Sequence, residues 1–182
     1  MNPLVDRSIS DVARGVSLFA RLTGPMDCHD ENLNASADEC PRQCGQCNVC
    51  CTAMLVRPLD KPAGMRCAHQ TDTGCGNYEN RPSVCRTWYC MWVRDGAGIF
   101  TEEHRPDKLG VFFTATNPES AGDRQTIHVH QLYPGAADRR EAVNVIHFLR
   151  QFVPVEIIPA RGDIRDAPVA PATLTHNGKA VA

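Results

Sequence analysis

Nine of the ten cysteines in this 182-residue chain fall between Cys40 and Cys90, and only Cys28 lies outside that window. The segment around them has short apolar runs broken by prolines and glycines, too little to build a core unaided, so it needs a staple. Where thiols stay reduced, clustered cysteines bind metal or perform redox chemistry rather than pair as disulfides. The compartment is therefore part of the argument. The apolar stretch near the N-terminus carries Asp6, Arg7, Asp11, Arg14 and Arg21, which leaves no uninterrupted h-region for a signal peptide. No run approaches the roughly 18 apolar residues of a membrane span. A cytoplasmic protein stapled by metal is the expectation; a disulfide scaffold would require export by another route.

Composition narrows the partners. Apolar residues make up 42% of the chain and charged residues 22%, enough for a core and too ordered a balance for wholesale disorder. Nineteen basic against 21 acidic side chains give a net charge of -2, so no global field recruits nucleic acid or an anionic membrane. Lysine is scarce, with Lys61, Lys108 and Lys179 beside sixteen arginines, and reads as genome composition.

Along the chain the pattern predicts an α+β fold: a small cysteine-rich metal-binding module with few regular elements, plus a β-β-α-β layer. Residues 1–26 read as an amphipathic helix, with Val12, Val16, Phe19 and Leu22 at helical spacing and Gly24-Pro25 as its stop. Residues 27–39 are an acidic loop without periodicity, and residues 40–105 form the cysteine module. In residues 106–162, Leu109 to Thr116 and Gln125 to Gly135 read as strands. Asp138 to Phe152 reads as a helix, with Asp138 near its cap and Ala142, Val145, Ile146, Leu149 and Phe152 on one face. A third strand follows in PVEIIPARG, and the Pro/Ala-rich residues 163–182 are expected to be disordered.

The thiols form two clusters. The first reads Cys40-Pro-Arg-Gln-Cys44-Gly-Gln-Cys47-Asn-Val-Cys50-Cys51. Two-residue spacers let successive thiolates turn back onto one centre, and Gly45 permits the tight backbone of such a knuckle. The second supplies Cys67, Cys75, Cys85 and Cys90, with His69 beside Cys67 as a further candidate ligand. Tetrahedral zinc takes four N/S ligands, and a 4Fe-4S cluster takes four thiolates, often spaced C-x2-C-x2-C with a remote fourth. Cys44, Cys47 and Cys50 have that spacing; both metals fit it. Cys40-x3-Cys44-x2-Cys47 also has the radical-SAM spacing, but the chain beyond Cys90 is too short for the partial barrel that chemistry requires. Pro82 suits the start of a short helix carrying Cys85, Trp88, Tyr89 and Trp92, with Cys85 and Cys90 a little over one turn apart. Aromatic rings there would limit solvent access to a metal.

Cys44, Cys47, the Cys50-Cys51 pair, Cys67 with His69, Cys75, the Tyr78-Glu79-Asn80-Arg81-Pro82 stretch, Cys85-Arg86 and Cys90 together resemble the YkgJ-type cysteine-cluster family, described as zinc- or iron-chelating. The resemblance covers about residues 44–93 and runs more loosely to the Ile157 region. It implies metal binding through eight cysteines, Cys44, Cys47, Cys50, Cys51, Cys67, Cys75, Cys85 and Cys90, and leaves Cys28 and Cys40 outside. A related cluster occurs in flagellin lysine methylases, which implies an accessory role beside a protein partner as one alternative.

Eight thiolates make two four-thiolate sites, a cluster plus a zinc site, or one centre with spare thiols. Adjacent Cys50 and Cys51 point in different directions on most backbones and are expected to serve different centres. Each tetrathiolate centre carries about -2. The surplus of Arg42, Arg57, Arg66, Arg81, Arg86 and Arg94 over Asp60, Asp72 and Glu79 either offsets that charge or forms a solvated face. His128 and His130 share one face of a strand without a third ligand and read as ordinary strand residues. The acidic loop lacks calcium-loop spacing, and His29 there reads as solvated. Trp88, Tyr89 and Trp92 read as core. No phosphate-binding loop, dinucleotide fingerprint or nucleophile elbow is present in the chain, so nucleotide hydrolysis, Rossmann-type cofactor use and hydrolase chemistry are unsupported.

Overall fold

The computed structural model describes residues 42–95, 98–116 and 125–171, with the backbone of 175–176 and 179–180. The helix expected over 1–26, the loop over 27–39, and Cys28 and Cys40 lie outside the described residues.

Short elements dominate the cysteine segment because prolines and glycines punctuate it. Helix α1 (Val49–Ala53) is followed by a 3-10 turn at Arg57–Leu59 and a two-residue hairpin, β1 (Gln70–Thr71) and β2 (Gly74–Cys75), and then by helix α2 (Ser83–Thr87). Pro82 sits at the N-cap of α2 with extended backbone, so the helix starts where proline permits it to. A second 3-10 turn (Glu102–His104) carries a capping box between Thr101 and His104. Helix α3 (Pro106–Leu109) begins with proline and ends at Gly110, whose φ is 84°. A Cβ at Gly110 would meet Tyr133 Oη at 2.6 Å, so both the backbone and the neighbour demand glycine there.

Next come β3 (Val111–Ala115), β4 (Ile127–Gln131), a 3-10 turn (Ala136–Asp138), helix α4 (Arg140–Arg150), β5 (Val155–Ile158), a 3-10 turn (Ile164–Asp166) and the hairpin β6 (Thr175–His176) and β7 (Lys179–Ala180). The main sheet has the order β3-β4-β5. Strand β3 is antiparallel to β4, pairing Phe113 with Val129, and β4 is parallel to β5, pairing Val129 with Ile157. Helix α4 supplies the crossover that a parallel pair requires. Ile127 and Val129 are buried, while His128 and His130 lie on the other face. Val111, Phe112 and Phe113 are all buried, so β3 is covered on both sides; Trp88 meets Phe112 edge-on at 6.3 Å.

The α+β class is found, with differences in detail. Ala142, Val145, Ile146 and Leu149 bury one face of α4. Phe152, expected on that face, is 38% exposed, because the helix ends at Arg150 and Val153 takes the inward position. Asp138 ends the preceding 3-10 turn, and Arg139 enters α4 without a side-chain cap. Disorder was the expectation from Asp163 onward. Instead Asp163 accepts from the Arg165 N–H, Ile164 N–H donates to Leu132 O at 2.8 Å, and Val169 bridges in parallel to Arg66. Ala170 is 3% exposed. A Pro/Ala-rich segment lacks a hydrophobic period, but its carbonyls still pair: Pro168 O accepts from Arg66 N–H.

One hydrophobic cluster joins both halves. It runs from Val49 and Cys90 to Val93 through Ile99 and Phe100 to the sheet and α4. Met91 N–H donates to Phe113 O at 3.0 Å, hanging the segment after Cys90 on β3. Among the described residues no helix is long and apolar enough to cross a membrane.

Candidate metal centre

The first knuckle is closed by a backbone bond from Cys47 N–H to Cys44 O at 2.9 Å, with Gly45 between them at φ 55°. This turn feeds α1, which carries Cys50 and Cys51. Backbone bonds then draw the second cluster to the first: Cys67 N–H donates to Cys51 O at 3.1 Å, and the β1–β2 register sets Gln70 opposite Cys75. Two side chains brace this arrangement, Asn48 donating to Thr71 O and Thr52 donating to Gln70 Oε1.

All eight cysteines named by the sequence line one cavity of about 180 Å³, and all eight are free thiols. Within it they fall into two sets of four. Cys90 belongs to the hydrophobic core and Cys44, Cys47 and Cys50 pack against it, whereas Cys51, Cys67, Cys75 and Cys85 take no part in that cluster. Electrostatics follows this division with one crossing, because Cys44 also raises Cys51. Burial pushes the Cys44 thiol up to about 12, with Cys90 and then Cys47 adding to it. Burial pushes Cys51 up to about 12, with Cys75 and then Cys67 adding to it. Cys85 is raised by burial and then by Cys67 and Cys75. Cys50 and Cys51, adjacent in sequence, share Cys44 as a neighbour and otherwise face different thiols.

Helix α2 stops at Thr87, and Trp88 is already extended. The expected helical pairing of Cys85 with Cys90 therefore does not form: Cys85 stays with the outer set and Cys90, 3% exposed, turns into the core. The reason is packing, since Met91, Trp92 and Val93 must all be buried and a continued helix would bury only one side. Trp92 is core, its indole N–H donating to Thr101 O, while Trp88 and Tyr89 line the cysteine cavity.

The inner set also receives backbone donors. The backbone amides of Val93 and Trp92 lower Cys90, and those of Val49 and Asp107 lower Cys47. Cys50 and Cys90 share a hydrogen bond: Cys50 keeps its proton far above the usual thiol range, and Cys90, accepting it, is lowered to about 7. Burial carries Cys47 up to about 11. Cys44, Cys47, Cys50 and Cys51, all held high, are neutral near pH 7, so a cation is what makes their ionisation favourable.

The arginine surplus divides. Arg42 donates to Trp92 O, Phe100 O and Asp95, and Arg86 to Glu79 O and Arg81 O, so both tie loops together. Arg81 stacks over Tyr78 at 3.9 Å and lowers both Cys44 and Cys85, lying between the two sets. A further cation not expected from the sequence is Lys61, which is 1% exposed and donates to the Thr52 and Met54 carbonyls just after Cys51. Its signal was present as the one lysine inside the cysteine segment.

The donor set suits a thiophilic metal: four sulfurs per set match either zinc or a four-iron cluster. Tyr89 presents a buried hydroxyl without a hydrogen-bond partner among the described residues, with the Arg81 guanidinium nearby. As they stand, no three or more His, Cys, Asp or Glu side chains among the described residues are arranged to hold one ion. The sets are neighbourhoods rather than finished coordination spheres. His69 lines the cavity on the side of Cys67 and Cys75. His128 contacts Glu156 at 3.3 Å, and His130 shares a 2.9 Å hydrogen bond with Thr114 while stacking on Phe112 at 4.5 Å; both are occupied on the sheet. Comparison with family models, curated proteins and solved structures gives no match to this chain.

Proposed function

We propose that the protein is a metal-chelating protein with two neighbouring four-cysteine centres, one from Cys44, Cys47, Cys50 and Cys90 and the other from Cys51, Cys67, Cys75 and Cys85. The observation that carries this reading is that all eight thiols line one cavity and that, among them, Cys44, Cys47, Cys50 and Cys90 are the four that touch the hydrophobic core. The likeness to YkgJ-type proteins supports the same eight ligands. Zinc at these positions would staple the loops, and an iron-sulfur cluster would add one-electron chemistry. The chain's own residues ligate, exclude water through Trp88 and Tyr89, and offset charge through Arg81 and Lys61. The reading places the protein in the cytoplasm and gives it a protein partner rather than nucleic acid or membrane.

Anaerobic purification with elemental analysis and an absorption spectrum tests it. Two zinc ions per chain, or a brown protein whose broad band bleaches on reduction, is the expected result. Cys47→Ser and Cys85→Ser should each remove one centre and spare the other. A folded, reduced chain that takes up neither metal would falsify the proposal.

A further inference from the structure

Lys61 is among the largest fully buried side chains of the molecule. Its Nζ donates to Thr52 O at 3.0 Å, Met54 O at 2.5 Å and Pro62 O at 3.0 Å. No carboxylate pairs with it among the described residues. An ammonium group withdrawn from water and given only neutral acceptors is costly unless negative charge lies nearby. Burial lowers Lys61, and the groups that would oppose this once ionised are Cys67, Cys51 and Cys85, all of the outer set. Two of its three acceptors, Thr52 O and Met54 O, lie at the end of α1, directly after Cys51. The turn that brings Lys61 back is tight, with Asp60 in the left-handed region at φ 46° and a bridge from Val56 to Lys61.

Resting on the two-centre reading, we infer that Lys61 is the resident counter-charge of the Cys51, Cys67, Cys75 and Cys85 centre. It acts as a positioning residue, not a ligand: it gathers the carbonyls at the end of α1 and offsets part of the excess charge of a tetrathiolate. The inner centre uses backbone N–H donors for the same purpose and does not depend on Lys61.

The test counts metal at each centre. Cobalt(II) is titrated anaerobically into the reduced chain, reading thiolate-to-cobalt absorption, followed by competition with a chromogenic chelator. The unmodified chain should take two equivalents. Lys61→Met should keep the first and weaken the second by roughly tenfold or more, the scale of losing one nearby unit charge. Cys75→His then separates charge from shape, because it removes one negative charge from the ligand set while retaining a good ligand. In that background the loss caused by Lys61→Met should shrink to about threefold or less. Lys61→Gln, whose amide still reaches carbonyls, replaces Lys61→Met if the latter does not fold. Equal losses in both backgrounds, or no loss in either, would overturn the assignment. An unmodified chain that binds no second equivalent overturns the two-centre reading itself, and is distinguished because the defect then precedes any change at Lys61.

Discussion

Cys44, Cys47, Cys50 and Cys90 lean on a continuous hydrophobic core, whereas Cys51, Cys67, Cys75 and Cys85 are held by turns, a two-residue hairpin and a five-residue helix. The inner set inherits rigidity from residues such as Phe112, Phe113 and Trp92 that have nothing to do with ligation. The outer set takes no part in that cluster and relies on backbone bonds such as Cys67 N–H to Cys51 O. Two sets of cysteines on one chain therefore differ in what holds them, and that difference can be attacked.

The largest effect should follow metal removal. Structural zinc sites carry about 10–16 kcal/mol of apparent binding energy, much of it folding energy. Chelation under reducing conditions should loosen the outer set first, so Cys75 and Cys85 alkylate before Cys90 in time-resolved mass spectrometry. Uniform labelling of all eight would erase the distinction between the sets.

Cys90→Ser and Cys75→Ser sharpen it next. Each should halve the bound metal, but Cys90→Ser also places a hydroxyl in the core and should cost roughly 1–3 kcal/mol more in denaturant unfolding. Equal destabilisation would mean that the core contact of Cys90 contributes nothing.

Leu149→Ala, at a fully buried position of α4, should cost about 2–5 kcal/mol. Because one cluster joins α4 to Cys90, circular dichroism and thiol accessibility should report a single transition at the lowered temperature. Two separated transitions would break the shared core into independent units.

The smallest effect is a pH dependence on the sheet. Burial, then the nearby His128, lowers His130 to about 4. An unfolded histidine titrates near about 6.5, so between those values the unfolded chain binds the extra proton. Stability should therefore fall as pH drops from 6.5 toward 4, and His130→Gln should flatten that slope in urea titrations. An unchanged slope would remove His130 from the account.

Much of the sheet and of α4 was legible because period and burial agree there: Ile127 and Val129 alternate with histidines, and Ala142, Val145, Ile146 and Leu149 recur along one helical face. Phe152 falls outside because the helix ends two residues earlier, at Arg150, which periodicity does not register. The segment 163–171 was misread because its order comes from carbonyls and amides pairing with Arg66 and Leu132, and main-chain bonds leave no compositional trace. Lys61 was overlooked because a lysine in a loop is ordinarily solvated, and only the fold puts this one under α1.

The eight thiols, the knuckle at Gly45, the strand and helix periods, and the expectation that Cys50 and Cys51 part company can all be read from the amino-acid order, because adjacent residues and hydrophobic periods are local properties. The three-dimensional packing is what sets Cys90 with Cys44, Cys47 and Cys50 on the hydrophobic core and leaves Cys85 with Cys51, Cys67 and Cys75 outside it. That division depends on where α2 stops, and α2 stops because Met91, Trp92 and Val93 are all drawn into a core whose other wall, the β3–β4–β5 sheet, lies some twenty to sixty residues further along the chain.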